Sequence, residues 1–196
     1  MQAEFIKTAV LPEQFPPESL PEIAFLGRSN VGKSSLLNAL AATRGLAHTS
    51  AIPGRTQAIN FFRVRRQWCF VDLPGYGYAR VPLELAASWK RLIESYLVHR
   101  RALRLCLVLL DARRGWMEKD EELRRWLEHH RRPYVVVATK FDKLGSQAEK
   151  CKGVAAIGSH RNESRWWLGE PISFSARTGQ GVREIWQAIA AMRDHP

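Results

Sequence analysis

The sequence has 196 residues, of which 45% are hydrophobic and 25% charged, so length and composition fit one globular domain with a sizeable core. No apolar run approaches the roughly 20 residues of a membrane span, and the N-terminus lacks the basic start and long apolar stretch of a secretory signal. The three cysteines form no CxxC pair, which favours a reducing, cytoplasmic location. The net charge of +11 favours a polyanionic partner, because phosphate contacts supply most non-specific affinity for nucleic acids.

Six short apolar runs predict strands, and most of them are separated by helical patterns. The predicted strands are residues 23–26, 59–64, 68–71, 105–110, 134–138 and 172–174. A helix is predicted at 34–42, and stripes of large apolar residues at helical spacing begin at Leu85, Leu123 and Val182. Strands alternating with helices favour a three-layer α/β fold with a mainly parallel sheet. We expect residues 1–20 to be an N-terminal extension packed on the domain, and 21–196 to be that single domain.

Residues 27–34 match the phosphate-loop pattern Gly-x-x-x-x-Gly-Lys-Ser between a predicted strand and a predicted helix. Glycines let the backbone N–H groups face phosphate oxygens, and the positive N-terminus of the helix adds to the attraction. Lys33 is placed to reach the β- and γ-phosphates, and the Ser34 hydroxyl to bind Mg²⁺. The predicted phosphate-binding residues are Gly27, Arg28, Ser29, Asn30, Val31, Gly32, Lys33, Ser34 and Ser35.

A second motif, Asp-x-Pro-Gly, follows the predicted strand 68–71. A carboxylate at Asp72 can hold Mg²⁺ through water, and the N–H of Gly75 can reach the γ-phosphate. Leu73 and Pro74 complete this predicted part of the nucleotide site.

The polar loop 43–58 lies between these two motifs. A threonine in it can add a second hydroxyl to Mg²⁺ when GTP is bound and release it after hydrolysis. Thr43, Thr49 and Thr56 all fall in the loop, and spacing alone does not choose among them.

A third motif, Thr-Lys-Phe-Asp, follows the predicted strand 134–138. Guanine presents two adjacent donors that one carboxylate can accept, and adenine cannot supply that pair, so we predict that Asp142 selects guanine. The stem of Lys140 is predicted to cover the base, and backbone N–H groups at Ser175-Ala176 to meet guanine O6. The predicted base-binding residues are Thr139, Lys140, Phe141, Asp142, Phe174, Ser175 and Ala176.

Taken together, these motifs resemble the EngB family of bacterial GTPases, also called YihA or YsxC, within the TrmE-Era-EngA-EngB-septin-like class. The segments that carry the resemblance are 27–34, 53–57, 72–77 and 139–143, with further similarity at 5–7, 111–113 and 174–176. The resemblance implies a Ras-like P-loop fold with a mixed six-stranded sheet. It also selects Thr56 as the second Mg²⁺ ligand and assigns its neighbours Gly54, Arg55 and Gln57 to nucleotide binding.

The resemblance further implies what the protein does. Members of the family convert GTP to GDP and phosphate and act in maturation of the large ribosomal subunit, and they are also described as needed for normal cell division and septation. The implied partner is the large subunit or its precursor, with its ribosomal RNA. We expect a monomer with no membrane span, located in the cytoplasm.

One catalytic position departs from the common GTPase pattern. Many GTPases place a glutamine directly after the Asp-x-x-Gly glycine to orient the attacking water, whereas this chain has Tyr76. We therefore expect slow intrinsic hydrolysis, completed either by a partner such as the pre-ribosome or by a potassium ion near the γ-phosphate. In related potassium-activated GTPases an asparagine at the position of Asn30 binds the cation; the alternative is that Asn30 only stabilises the loop. The predicted catalytic residues are Lys33, Thr56, Gly75 and Asn30.

Two other functions remain open from sequence alone. A small phosphoryl-transfer kinase is disfavoured by Asp142 and Ser175, and a non-enzymatic RNA-binding scaffold with structural GTP is disfavoured by the intact Mg²⁺ and phosphate residues. Trp166-Trp167 stands beside arginines and could stack on RNA bases, although packing beneath a loop is the favoured interpretation.

Overall fold

Seven strands form one sheet in the structure, a computed structural model that describes residues 3–43, 45–47, 58–76 and 83–193, with only the backbone described at 83–90. The strands are β1 (Ala3–Ala9), β2 (Glu22–Gly27), β3 (Ile59–Val64), β4 (Trp68–Asp72), β5 (Leu103–Asp111), β6 (Tyr134–Thr139) and β7 (Ile172–Ser173). The α-helices are α1 (Lys33–Ala41), α2 (Leu83–His99), α3 (Glu118–His129), α4 (Gln147–Gly158) and α5 (Val182–Ala191).

The strands lie in the order β1-β3-β4-β2-β5-β6-β7. β2 pairs in parallel with β4 and β5, and β6 continues the parallel run to β7, whereas β3 is antiparallel to both of its neighbours. The predicted α/β class and mainly parallel sheet are therefore confirmed. None of the helices within the described residues combines the length and apolarity needed to cross a bilayer.

Helices cover both faces of the sheet because the strands carry apolar side chains on both faces. Along β2, Ile23 and Phe25 pack with α1 and α5, whereas Ala24 and Leu26 pack with α2, α3 and α4. The buried residues thus form two cores, one on each side of the sheet, as a three-layer fold requires.

The strand count is seven and not the predicted six, because residues 3–9 of the predicted extension form β1 and pair with β3. A register shift between Phe5 and Lys7 interrupts the pairing. Since β1 is an edge strand with mostly exposed side chains, its sequence shows no clean alternation of apolar and polar residues. That explains why the pattern did not predict it.

Of the two tryptophans beside the arginines, Trp167 is 1% exposed and belongs to the core. Trp166 is partly buried and packs against the same core. Packing beneath a loop, the favoured interpretation, therefore describes Trp167. Of the predicted helical stripes, the side chains of Leu85 and Trp89 lie outside the described residues.

A buried ion pair joins the start of β2 to the end of α2. The Arg100 guanidinium donates to the Glu22 carboxylate at 2.6 Å and to the carbonyl of Pro16 at 2.7 Å. The Tyr96 hydroxyl donates to the same carboxylate at 2.9 Å. Glu22 is 1% exposed, so these donors replace the water that its charge loses on burial.

Removing one partner of this pair should destabilise the fold strongly. We expect Arg100→Met to lower the free energy of unfolding by about 3–5 kcal/mol, because it leaves the Glu22 charge buried without its counter-ion. The measurement is urea unfolding followed by circular dichroism. The matched control is Arg101→Met, an exposed neighbour, for which we expect a change within about 0.5 kcal/mol. Equal effects of the two substitutions would contradict this account.

Candidate functional site

The predicted motifs lie together at one edge of the sheet, beyond the carboxyl ends of the parallel strands. Phe25 of β2 is level with Asp72 of β4, and Asp111 of β5 is level with Thr139 of β6. The loops that follow these strands therefore start side by side. This edge is the candidate site.

The phosphate loop connects β2 to α1. Gly32 precedes the helix with φ of +111°, a backbone conformation that L side chains rarely adopt, so glycine is required there. Its carbonyl accepts the amide of Leu36 at 2.9 Å, which starts the helix. The loop thus delivers the N-terminal turn of α1, with Lys33 and Ser34, to the site.

The loop is held from behind by Thr139 and Lys140 at the end of β6. The buried Thr139 hydroxyl donates to the carbonyl of Val31 at 2.6 Å and lies 3.0 Å from that of Leu110. The Lys140 ammonium donates to the carbonyl of Asn30 at 2.7 Å. Two consecutive residues therefore fix the phosphate loop to the strand that also leads to the predicted guanine site.

Lys140 is itself positioned by Asp111 at the end of β5. Its ammonium lies 3.1 Å from the Asp111 carboxylate, which also accepts the Arg113 guanidinium at 2.7 Å. Partial burial opposes ionisation of Asp111, but the hydrogen bonds from Arg113 and Lys140 prevail and hold its pKa well below the usual range. Asp111 therefore stays a carboxylate and keeps Lys140 extended along the loop.

Lys33 and Asp72 meet at the centre of the site. The Lys33 ammonium donates to the Asp72 carboxylate, and these side chains are 12% and 9% exposed. Ser34 follows in the first turn of α1. A hydroxyl and a carboxylate are the oxygen donors that Mg²⁺ prefers, so the described part of the donor set fits that ion.

Gly75 brings its segment against the phosphate loop. A Cβ at this position would lie 3.0 Å from the backbone nitrogen of Ser29, too close for any larger residue without a shift of the backbone. The next residue, Tyr76, accepts the Ser29 amide through its carbonyl at 3.4 Å. The Asp-x-Pro-Gly segment therefore runs beside the phosphate loop.

The Tyr76 side chain is directed to α3. Its hydroxyl donates to the Asp120 carboxylate at 2.8 Å, and Asp120 is 2% exposed. Burial, with the neighbouring Asp120 charge, raises the pKa of Tyr76 well above its usual value, and burial also raises the pKa of Asp120. The residue at the position of the usual glutamine is thus bound to α3 as a neutral phenol.

Asp142 lies at the predicted guanine site, on a 3₁₀ turn after β6. Its carboxylate accepts the Ser175 hydroxyl at 2.8 Å. That hydrogen bond lowers the pKa of Asp142, so the group is an ionised acceptor near neutral pH. Backbone bonds tie the two loops together, since the Phe141 amide donates to the carbonyl of Phe174 at 3.1 Å.

One predicted donor has another partner. The Ser175 amide donates to the carbonyl of Gln180 at 3.2 Å, and the Ser175 hydroxyl also accepts the Thr178 amide at 3.2 Å. Ser175 therefore shapes the loop and orients Asp142, which leaves the Ala176 amide as the predicted donor to guanine O6.

The other predicted residues are placed as follows. Val31, Leu73, Pro74, Phe141 and Phe174 are buried supports, Ser29 and Asn30 are exposed in the loop, and Ser35 is half-buried in α1. The Arg28 side chain contacts the sulfur of Met117 before α3. The residues outside the described part of the chain are Thr49, Gly54, Arg55, Thr56 and Gln57.

Sequence reasoning gave no role to Asp111 or Asp120. Asp111 directly follows the predicted strand 105–110, so the rule that ligands bind beyond strand ends was a usable signal. Asp120 looks like one of several acids in the first turn of α3, and only its contact with Tyr76 distinguishes it.

We expect Thr139→Val, which keeps the side-chain shape, to loosen the phosphate loop. It removes the hydroxyl donor to Val31 and should cost about 1–3 kcal/mol of unfolding free energy, with weaker guanine-nucleotide binding. Urea unfolding and titration of a fluorescent GDP analogue measure the two effects. Thr8→Val in exposed β1 is the matched control. Equal losses of stability and of nucleotide affinity in the two variants would contradict a special role for the hydrogen bond from Thr139 to Val31.

The chain matches known proteins over nearly its full length. A family model described as "50S ribosome-binding GTPase" matches residues 22–140. "Probable GTP-binding protein EngB" of Solibacter usitatus is 59% identical over 189 residues, which covers 96% of this chain and 95% of the relative.

Solved structures agree with the fold. The crystal structure of a probable GTP-binding protein EngB superposes with a TM-score of 0.67 at 22% identity, covering 89% of this chain and 100% of the other. Era in complex with MgGDPNP and nucleotides of 16S ribosomal RNA gives a TM-score of 0.68 at 24% identity, covering 88% and 56%. With the 59% identical relative and the matching phosphate and guanine motifs, these likenesses show that the chain belongs to the EngB family of P-loop GTP-binding proteins.

Proposed function

We propose that this protein hydrolyses GTP slowly and acts as a switch in assembly of the large ribosomal subunit. The observation that carries the proposal is the tether at the end of β6. Thr139 and Lys140 bind the phosphate loop, and Asp142, which we propose selects guanine, lies on the turn that follows them. A site suited to both the phosphates and the guanine base of GTP supports this role over that of a kinase. The family model, described as a ribosome-binding GTPase, supports it over a structural GTP site.

The residues divide the work by their positions. Backbone amides of the phosphate loop bind the phosphates, and Lys33 leaves its partner Asp72 to bind the β- and γ-phosphate oxygens. Ser34, Asp72 and Thr56 would hold Mg²⁺, which offsets the charge that develops on the phosphates. The amide of Gly75 would donate to the γ-phosphate when GTP is bound. Loss of the γ-phosphate would remove that bond and so affect the next residue, Tyr76.

Slow hydrolysis follows from the state of Tyr76. Its hydroxyl is bound to Asp120 and its pKa is raised, so it neither orients water beside the γ-phosphate nor acts as a base there. Completion of the site is therefore assigned to another group. A partner or a potassium ion at Asn30 can supply it.

The ribosomal part of the proposal rests on three supports. The net charge of +11 suits a partner rich in phosphate. The structurally similar Era has been solved with nucleotides of 16S ribosomal RNA, which supports ribosomal RNA as the kind of partner. The choice of the large subunit comes from the family model, which is described as a 50S ribosome-binding GTPase. The role in division and septation that the family resemblance implies belongs to the same proposal, as does action as a cytoplasmic monomer.

Replacing Asp142 tests the guanine assignment. In Asp142→Asn the amide offers one acceptor and one donor, which mismatches the two donors of guanine but matches the N1–H and C2 carbonyl of xanthine. We expect GDP affinity to fall roughly a hundredfold or more, and XDP to bind more tightly than GDP. Competition against a fluorescent GDP analogue measures both affinities.

The exposed neighbour provides the control for that measurement. Lys143→Gln should leave GDP affinity within about twofold, because its charge lies in solvent. An unchanged preference for GDP in Asp142→Asn would remove this residue from base recognition. Tight ATP binding by the unsubstituted protein would overturn the GTPase assignment itself.

Multiple-turnover phosphate release tests the switch. We expect slow release of phosphate from GTP by the protein alone and faster release with purified large ribosomal subunits, because the bound partner completes the site. Small subunits serve as the control. GTP binding with no release under any condition would favour the scaffold alternative.

The same assay separates the two ways of completing catalysis. If Asn30 binds a potassium ion, release should be faster in KCl than in NaCl at equal ionic strength, and Asn30→Ala should abolish the difference. Its exposed side chain and φ of 60° leave Asn30 accessible at the loop surface. Equal rates in the two salts would leave Asn30 only a role in loop stability.

A further inference from the structure

Arginines that are far apart in the sequence meet at the end of the sheet opposite the nucleotide site. They lie where β5 and β6 begin and where α2 and α3 end. We call this surface the strand-entry patch. Its members are Arg101, Arg104, Arg131, Arg132 and Arg165.

The strand register brings these residues together. Cys106 is level with Tyr134, so Arg104 and Arg132, each two residues earlier, enter the sheet side by side. The Tyr134 amide donates to the carbonyl of Trp166 at 2.8 Å, which places Arg165 next along the same edge. Neighbouring strands lie about 4.8 Å apart, so the three backbone segments enter this edge close together.

The helix ends complete the patch. The Arg132 guanidinium donates to the carbonyl of Val98 in the last turn of α2, and Arg101 follows that turn. Arg131 follows α3, and Arg101, Arg131 and Arg165 are all exposed. Cations at helix C-termini offset the helix dipole, and Arg132 does so here. Within the described part of the chain, the guanidiniums of the other four arginines of the patch make no such hydrogen bond to a helix C-terminus, so helix capping does not explain their presence.

The nearby carboxylates are already engaged. Glu22 is paired with Arg100 at 2.6 Å. Glu128 accepts the amide of Arg165 at 3.0 Å and the Tyr134 hydroxyl at 2.9 Å. Within the described residues, no ion pair involves Arg101, Arg104, Arg131 or Arg165, so these guanidiniums are free to bind an anion.

A histidine, His130, lies at the edge of the patch. His130 follows α3 and stacks on Trp126 with ring centroids 4.0 Å apart. Burial, with the neighbouring His129 and Arg132, lowers the pKa of His130, while Glu94 of α2 acts in the opposite direction. An anion bound here would relieve the repulsion.

We propose that the strand-entry patch binds the phosphate backbone of RNA. Four guanidiniums without an ion pair on one surface suit bidentate contacts with phosphate oxygens, and the stacked Trp126 and His130 offer an aromatic surface for an unpaired base. β5 has nine residues, so the patch lies roughly 25 Å from the phosphate loop at its other end. RNA bound there leaves the nucleotide site open.

This inference rests on the proposed function, because it names the surface with which the protein would hold ribosomal RNA. The test is fluorescence polarisation with a fluorescein-labelled RNA hairpin at salt concentrations from about 50 to 200 mM. The variant is Arg101→Glu with Arg131→Glu. The control, Lys152→Glu with Arg183→Glu, makes the same change in net charge at exposed positions on α4 and α5.

We expect the patch variant to weaken RNA binding about tenfold or more. The slope of log affinity against log salt should become shallower by about 1.4, since two phosphate contacts at about 0.7 each are lost. The control variant should stay within about threefold, and both should bind a fluorescent GDP analogue as the unsubstituted protein does. In an NMR titration, the hairpin should raise the pKa of His130.

The outcomes separate the patch from the proposed function. Equal losses in the two double variants, or no loss in either, would overturn the patch while leaving RNA binding intact. No RNA binding by the unsubstituted protein would overturn both. Binding to phosphatidylserine vesicles but not to the hairpin would assign the patch to a membrane surface and overturn the RNA proposal.

Discussion

The site depends most on a single hydroxyl group at the end of β6. Thr139 donates to the backbone of Val31 within a buried environment, where an unpaired carbonyl would be costly. The phosphate loop has two residues at positive φ, Asn30 and Gly32, and so has little regular structure of its own to hold its shape. Its geometry is therefore supplied by the strand behind it. Because the loop is already ordered before phosphate binds, binding costs less conformational entropy.

The same strand end also carries the residues proposed to read the base. Lys140 binds the phosphate loop, and Asp142 lies two residues farther on, oriented by Ser175. The distance between the phosphate loop and the proposed base acceptor is thus set by the few consecutive residues that end β6 and form the turn after it. Asp111 of β5 reinforces the arrangement by pairing with Lys140.

The sequence motifs predicted the parts of this site that are local. The phosphate loop, Asp72 and the segment 139–142 each lie at or just after the end of a strand, and the parallel topology brings strand ends together. The contacts made between distant segments could not be predicted in the same way. Neither β1 nor the bond from Tyr76 to Asp120 has a signal in spacing, because an exposed edge strand needs no alternation and an acid in the first turn of a helix is ordinary.

The two ends of the sheet would have different roles in the proposed switch. β5 and β6 connect the strand-entry patch to Asp111 and Thr139, and both strands are buried on both faces, so they offer little freedom to transmit a change. The segment proposed to respond to the γ-phosphate, Gly75 to Tyr76, lies at the opposite edge of the sheet and is only half-buried. In the proposed role, an RNA anchor on the rigid end would hold the protein on its partner whichever nucleotide is bound. The nucleotide would then control contacts at the loop edge, such as those near Tyr76, so anchoring and switching can be separated by substitutions at opposite ends of the sheet.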